Sequence, residues 1–187
     1  RAEKVPLQLP PDIRVETIAE GKNLAAMLMA GEIDALLTAQ VPAPYVKRAP
    51  QIRRLFANPR AVEADHFRRT GIFPIMHVMV IREALYRQHP WVAQSLYKAL
   101  LEAKTRCFES IFKNDAQHAV LPWTGHFAEE IRELMGEDFW PYGVAANRKT
   151  LETFLRYAVE QGLARRKMSV EELFAKAWHH SLPLLFQ

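Results

Sequence analysis

The sequence has few of the residues and patterns that mark several common protein classes. Its 187 residues include one cysteine, Cys107, which excludes an intrachain disulfide framework and a cysteine-rich zinc site. No apolar run approaches the roughly 20 residues of a membrane-spanning helix, so we expect no membrane insertion. The motifs GxGxxG, GxxxxGK[ST] and GxSxG are absent. We therefore expect no nucleotide cofactor and no nucleophile-elbow hydrolase.

The overall composition is that of a soluble globular protein. Hydrophobic residues make up 49% of the chain and charged residues 25%, which excludes a disordered or collagen-like protein. The net charge of +4 is small for a protein that binds a phosphate backbone, so we expect no nucleic-acid partner. The seven histidines lack the spacing of metal ligands, and we predict no metal site.

The first 44 residues show a strand–helix–strand pattern. Apolar and polar residues alternate over residues 13–18, which is typical of a half-buried strand. An apolar helix is predicted over residues 24–30, between a capping asparagine and a glycine, and a second strand over residues 34–38. Such a βαβ unit belongs to a parallel sheet and binds ligands at the carboxyl ends of its strands, here in the loop 38–44.

A basic stretch precedes a third predicted strand. Residues 47–69 contain seven cations and two carboxylates. One interpretation is a solvated basic surface. The other is an anion site built from Arg68 and Arg69, because an arginine fork binds a carboxylate through two hydrogen bonds. The β-branched and apolar residues 73–81 predict a buried strand, and His77 lies within it.

Helical patterns dominate the rest of the chain. Apolar residues recur at steps of three and four after Pro90 and predict a long helix, on whose buried face we place Cys107. Ser169 and Glu172 have the spacing of a capping box. Shorter helices are predicted over residues 60–67, over residues 127–135, and from Asn147, as the capping residue, to residue 161.

Several of these residues have both a structural and a functional interpretation. His77 is either a hydrogen-bonded core residue or a general acid or base, because the pKa of imidazole lies near neutrality. Trp123, Trp140 and Tyr142 lie in two loops rich in tryptophan and proline. They are either packing residues or the walls of an aromatic pocket.

Four motifs occur in the same order as in a known family. They are RRTGIFPIMH at residues 68–77, HPWV at residues 89–92, DFWPYG at residues 138–143 and NRKTL at residues 147–151. Together they resemble the 4,5-dihydroxyphthalate decarboxylase family, whose members share the two-lobed architecture of type 2 periplasmic solute-binding proteins.

The resemblance implies an α/β fold with the two-lobed periplasmic-binding-protein-like (type 2) architecture, incomplete at the amino end and helix-rich in its carboxyl half. Residues 1–72 would form part of the second lobe, and residues 73–187 the returning part of the first. Family members extend well upstream of Arg1. We therefore expect either pairing with a missing amino-terminal portion or a homo-oligomer.

The resemblance also implies an activity, the non-oxidative decarboxylation of 4,5-dihydroxyphthalate to protocatechuate, which needs no redox cofactor. For the acid/base group that this chemistry requires we predict His77, and for the cations that hold the retained carboxylate we predict Arg68 and Arg69. The other residues predicted to bind this small aromatic carboxylate are Gln40, Phe73, Met76, Trp140 and Tyr142.

The resemblance leaves two classes of function open. The first is a cytoplasmic carboxy-lyase. The second is a periplasmic solute-binding protein of a transporter, which would capture a small aromatic acid without catalysis, because a fold alone does not distinguish catalysis from capture.

Overall fold

A computed structural model describes residues 9–112 and 120–175 of the chain. Every regular element in these two ranges is an α-helix. The chain divides into two units, Arg1–Val62 and Glu63–Gln187.

The first unit contains the helices α1 (Leu24–Ala30) and α2 (Ala43–Val46). The sequence prediction of α1 is confirmed at both ends. The Asn23 carboxamide oxygen accepts a hydrogen bond from the Ala26 N–H at 2.8 Å, which satisfies one of the free donors of the first turn. Gly31 ends the helix with a φ of 72°, a left-handed conformation that glycine adopts without steric cost.

The two strands predicted for the first unit are wrong. Residues 13–18 and 34–38 form no β-ladder within the part of the chain that the structure describes. The apolar residues of the alternating pattern, Ile13 and Val15, are exposed, and so is Leu37. A strand is stabilised by cross-strand neighbours and by burial of one face. The alternation of apolar and polar residues in the sequence was therefore not sufficient to form a strand.

The second unit is built from longer helices. The first of them, α3, begins at Pro59 after the cap Asn58, whose carboxamide oxygen accepts from the Ala61 N–H at 3.1 Å. It runs past the predicted end at residue 67 to Thr70, and Gly71, with a φ of 65°, follows it. The helices are α3 (Pro59–Thr70), α4 (Glu83–Gln88), α5 (Trp91–Phe112), α6 (Thr124–Met135), α7 (Val144–Glu160) and α8 (Val170–Leu173).

Helices α7 and α8 supply the main buried cluster of the second unit. Its members are Val144, Leu151, Leu155 and Val170, with Met168 and Phe174 packed against them. The predicted capping box holds α8 in place, because the Ser169 N–H donates to the Glu172 carboxylate at 2.7 Å.

The predicted α/β, two-lobed periplasmic-binding-protein-like fold is contradicted by the described residues, which contain helices and no sheet. The third predicted strand, residues 73–81, has no regular secondary structure and forms no β-ladder with any other described segment. Its apolar side chains are largely exposed rather than buried, among them Met76, Val78 and Val80. The predicted division at residue 72 stays a prediction.

Cys107, predicted to be buried, is exposed on α5, because its side of the helix receives no covering element among the described residues.

None of the helices in residues 9–112 and 120–175 combines the length and apolarity that a bilayer crossing requires.

Candidate functional site

The loop at residues 136–143, which we name the aromatic loop, connects α6 to α7 and contains Phe139, Trp140 and Tyr142. Glycines bound it at both ends. Gly136 has a φ of 92° and Gly143 a φ of 94°, conformations that side chains with a Cβ rarely adopt. The two glycines therefore allow the chain to turn sharply out of α6 and into α7.

Lys104 on α5 binds the aromatic loop from one side. Its ammonium group lies 2.6 Å from the Asp138 carboxylate and donates to the Trp140 carbonyl oxygen at 3.3 Å. The same ammonium group lies 5.1 Å from the ring centre of Tyr142 and 5.4 Å from that of Phe108, within the range of a cation–π interaction. One cation thus contacts three residues of the loop.

Asn147 on α7 binds the loop from the other side. Its side-chain amide donates to the Pro141 carbonyl oxygen at 2.8 Å and to the Gly143 carbonyl oxygen at 2.9 Å. The prediction that Asn147 is the cap of this helix is wrong. The helix begins at Val144, and its N-cap Gly143 has no side-chain bond. Asn147 lies one turn inside the helix and folds back onto the loop instead.

Tyr97, one turn into α5, packs against the end of the loop. A Cβ added at Gly143 would lie 3.2 Å from the Tyr97 hydroxyl oxygen, so only glycine fits there without displacement. Burial raises the pKa of Tyr97, and the negative charge of Asp138 raises that pKa further. Tyr97 is therefore a neutral phenol at physiological pH.

A shallow groove of about 350 Å³ runs beside the loop. Phe108 and Phe112 line it. Behind them, the ring of Phe139 stacks on Phe108 at 4.4 Å and meets Phe112 edge-on at 6.4 Å. The lining includes two cations, Lys104 and Arg132, and three carboxylates, those of Glu109, Glu137 and Asp138. This excess of negative charge makes the groove a poor site for an aromatic dicarboxylate.

On another side of the loop, Trp140 meets Phe73. Their ring centres are 5.9 Å apart and their planes are inclined by 57°, a geometry that is favourable for aromatic pairs. The Lys149 ammonium group donates to the Thr70 carbonyl oxygen, so the chain leaving α3 is tied to the first turns of α7. The structure therefore brings the predicted residues Phe73 and Trp140 together.

Arg68 and Arg69 lie in the last turn of α3, immediately before this contact, and both are exposed. Arg69 donates to the Asp65 carboxylate at 2.8 Å. Arg68 has no ion pair with any other residue that the structure describes. Of the two predicted carboxylate ligands, Arg68 therefore has the guanidinium group that is more available to a ligand.

The remaining predicted site residues are less well defined by their surroundings. His77 lies exposed in the segment without regular secondary structure that follows α3, so its predicted position in a buried strand is wrong. Met76 is likewise exposed. Gln40 belongs to the first unit, where its N–H donates to the Thr38 hydroxyl at 3.2 Å. Trp123, at the start of α6, is 72% exposed and forms no wall of the site.

Sequence reasoning missed Lys104 and Asn147. A usable signal was present for Lys104, because Tyr97 and Phe108 stand seven positions before it and four positions after it. Residues at those spacings share one face of a helix. A cation between two aromatic residues on such a face indicates a partner outside the helix.

Metal binding finds no support in the described part of the chain. No three histidine, cysteine, aspartate or glutamate side chains in these ranges lie close enough together to hold an ion.

Comparisons with known proteins bear on the same motifs. No family model matches the sequence. A curated protein of Comamonas testosteroni named 4,5-dihydroxyphthalate decarboxylase is 33% identical over 177 residues, which make up 95% of this chain and 54% of that protein. A Pseudomonas putida protein of the same name is 34% identical over 68 residues, 36% of this chain and 26% of that protein.

The chain thus spans about half the length of the Comamonas testosteroni relative that it matches. The four motifs quoted above indicate the same relationship. Over the span that they share, this chain is similar to proteins named 4,5-dihydroxyphthalate decarboxylase.

Proposed function

We propose that this chain is part of a carboxy-lyase that removes one carboxylate from 4,5-dihydroxyphthalate or a closely related aromatic dicarboxylic acid. The observation that carries the proposal is the 33% identity, over 95% of the chain, to a protein named for that reaction. The site geometry supports it, because Phe73, four residues after Arg69 in the sequence, has its ring in contact with the ring of Trp140.

The chemistry requires a proton donor and acceptor, and a binding site for one carboxylate. Each carboxylate of the substrate has a hydroxyl group para to it. Removal of that hydroxyl proton pushes electron density onto the ring carbon that bears the carboxylate. Protonation of this carbon gives a keto acid, which loses carbon dioxide as the C–C bond breaks and its electron pair restores the aromatic ring. One proton therefore replaces one carbon dioxide, and no electrons leave the substrate.

The residue roles follow from these requirements. Arg68 binds the retained carboxylate through its guanidinium fork, and Arg69, already paired with Asp65, adds positive charge. Phe73 and Trp140 contact the substrate ring. His77, four residues after Phe73, exchanges the proton.

Two further residues complete the proposal. Met76 and Tyr142 are additional contacts of the ring, the first because it adjoins His77 and the second because it belongs to the aromatic loop. Gln40, in the first unit, stays a prediction as a substrate contact.

Activity assays on the full protein test the proposal. The protein is incubated with 4,5-dihydroxyphthalate, and protocatechuate is quantified by chromatography. Arg68→Gln is expected to raise KM about 10- to 100-fold, since a hydrogen-bonded charge contributes about 1.5–3 kcal/mol. Arg60→Gln, on the same helix, is the matched control and leaves KM unchanged. His77→Gln is expected to lower kcat by about 10²- to 10⁴-fold.

Each outcome bears on a separate part of the proposal. Absence of protocatechuate with the native protein would refute the activity. Full turnover by the His77 variant would remove that residue from the reaction, and equal KM values for the two arginine variants would remove Arg68 from substrate binding.

A further inference from the structure

Lys104 differs from the other ion-paired cations in its burial. Its side chain is 10% exposed. Among the described residues, the other lysine and arginine side chains that form ion pairs are between 40% and 87% exposed. An ammonium group that loses its water requires compensating partners, because desolvation of a charge is costly.

Most of the compensation comes from one short segment. The Asp138 carboxylate, the Trp140 carbonyl oxygen and the Tyr142 ring all belong to the aromatic loop. Only the Phe108 ring, on the same helix, comes from elsewhere. The ammonium group of Lys104 therefore stabilises the position and conformation of this loop.

The contacts also fix the peptide groups around Trp140. Lys104 binds the carbonyl of Trp140 itself, and Asn147 binds the carbonyl of the next residue, Pro141. With both peptide groups held, the indole has little freedom beyond its own side-chain rotation. Its contact with Phe73 at 5.9 Å then depends on the anchor at Lys104.

We propose that Lys104 is a positioning residue: by binding Asp138 and the Trp140 carbonyl, it holds the indole of Trp140 in the orientation that contacts Phe73 and the ring of the substrate. Lys104 itself does not touch the substrate. The part of the inference that concerns the substrate rests on the proposed function. The part that concerns the orientation of Trp140 stands without it.

The test compares Lys104→Met and Lys104→Arg in the full protein. Methionine keeps an unbranched apolar stem and removes the charge, whereas arginine keeps the charge and a donor. Lys98→Met, on the same helix, is the matched control, because Lys98 is exposed. The first readout is the indole N–H resonance of Trp140, assigned by its loss in Trp140→Phe and recorded without substrate.

We expect Lys104→Met to shift or broaden the Trp140 resonance while the resonances of Trp91 and Trp123 stay in place. Lys104→Arg is expected to restore most of the native position. With substrate, Lys104→Met is expected to raise KM by up to about 10-fold and to change kcat less than 2-fold, since a weakened aromatic contact with the substrate ring lowers binding in the ground state and the transition state alike. Lys98→Met changes neither readout.

Two results would overturn the inference: an unchanged Trp140 resonance in Lys104→Met, and equal effects of the methionine and arginine variants. An unchanged KM alongside a shifted resonance would refute the part that concerns the substrate. If Lys104→Met unfolds the protein, Asp138→Asn decides by the same readouts, because it removes the ion pair while the amide oxygen of asparagine can still accept a hydrogen bond from the ammonium group. A native protein that produces no protocatechuate, with a Trp140 resonance that still responds to Lys104→Met, would refute the proposed function and leave the orientation role in place.

Discussion

Substitution of Asn147 tests how firmly the aromatic loop is held. Asn147→Asp keeps the size of the side chain but removes both N–H donors, and a carboxylate then faces the carbonyl oxygens of Pro141 and Gly143. Each of the two lost hydrogen bonds, at 2.8 and 2.9 Å, contributes about 0.5–1.5 kcal/mol net. Together they predict a loss of about 1–3 kcal/mol in the free energy of unfolding. Repulsion between the carboxylate and the carbonyl oxygens places Asn147→Asp at the upper end of that range.

Urea unfolding followed by circular dichroism at 222 nm measures the loss, at pH 7 and again at pH 3. The introduced carboxyl group has an ordinary pKa of about 4. A second variant, Asn147→Ala, removes the same two donors without adding a carboxylate, so at pH 7 we expect Asn147→Asp to be the less stable of the two. At pH 3 the introduced carboxyl group is protonated and regains one donor, and we expect this difference in stability to disappear. The comparison between the two variants at each pH removes the general effect of acid on the protein.

Asn58→Asp is the matched control, because the same chemical change falls on a side chain that accepts instead of donating. The Asn58 oxygen accepts from the Ala61 N–H at the start of α3, and aspartate performs this role equally well. We expect a change within about 0.5 kcal/mol. If Asn147→Asp were as stable as the native protein at pH 7, the two loop hydrogen bonds would contribute nothing and the reasoning would fail.

Three other predictions concern the second unit. Asp138→Asn should lower the pKa of Tyr97 toward its ordinary value without reaching it, since burial is the larger cause of the raised pKa. The phenolate absorbance at 295 nm, recorded against pH, measures this pKa. An unchanged titration curve would contradict the prediction. Because the folded pKa of Tyr97 is raised, its stabilising contribution is present below pH 10 and is lost as the pH rises through that folded value. Leu155→Ala should cost about 2–4 kcal/mol, since Leu155 is buried, whereas the exposed Leu163→Ala should cost under about 1 kcal/mol in the same urea titration. Glu172→Gln keeps the capping hydrogen bond but removes a carboxyl group whose pKa is lowered in the folded protein. The variant should therefore lose less stability than the native protein between pH 5 and pH 3. Acid titrations of the two proteins, with the free energy of unfolding measured at each pH, test this difference.

Helices were predictable because their determinants are local. For α1, a capping asparagine, an apolar stretch and a glycine all stand within nine residues, and the predicted helix formed as expected. For α5, the apolar spacing of three and four residues was sufficient. The three predicted strands failed because a strand requires a partner that is distant in sequence, and no local pattern supplies it.

The candidate site was predictable only in part for the same reason. Phe73 and Trp140 stood in quoted motifs, but their contact joins residues 67 positions apart. Lys104 was not predicted, since nothing in its immediate neighbours shows that Asp138 lies opposite. Cys107 was predicted to lie on the buried face of its helix, but the structure shows it exposed.

The segment at residues 73–81 also bears on how the protein behaves in solution. It contains no lysine, arginine, aspartate or glutamate, and its β-branched and sulfur-containing residues are largely exposed. Uncharged stretches of this kind attract one another when chains are concentrated. Pro74 and Arg82, one near each end, act as gatekeepers that oppose stacking of such stretches into fibrils. Purification at low concentration, with these two residues intact, is therefore the condition under which the protein should remain dispersed.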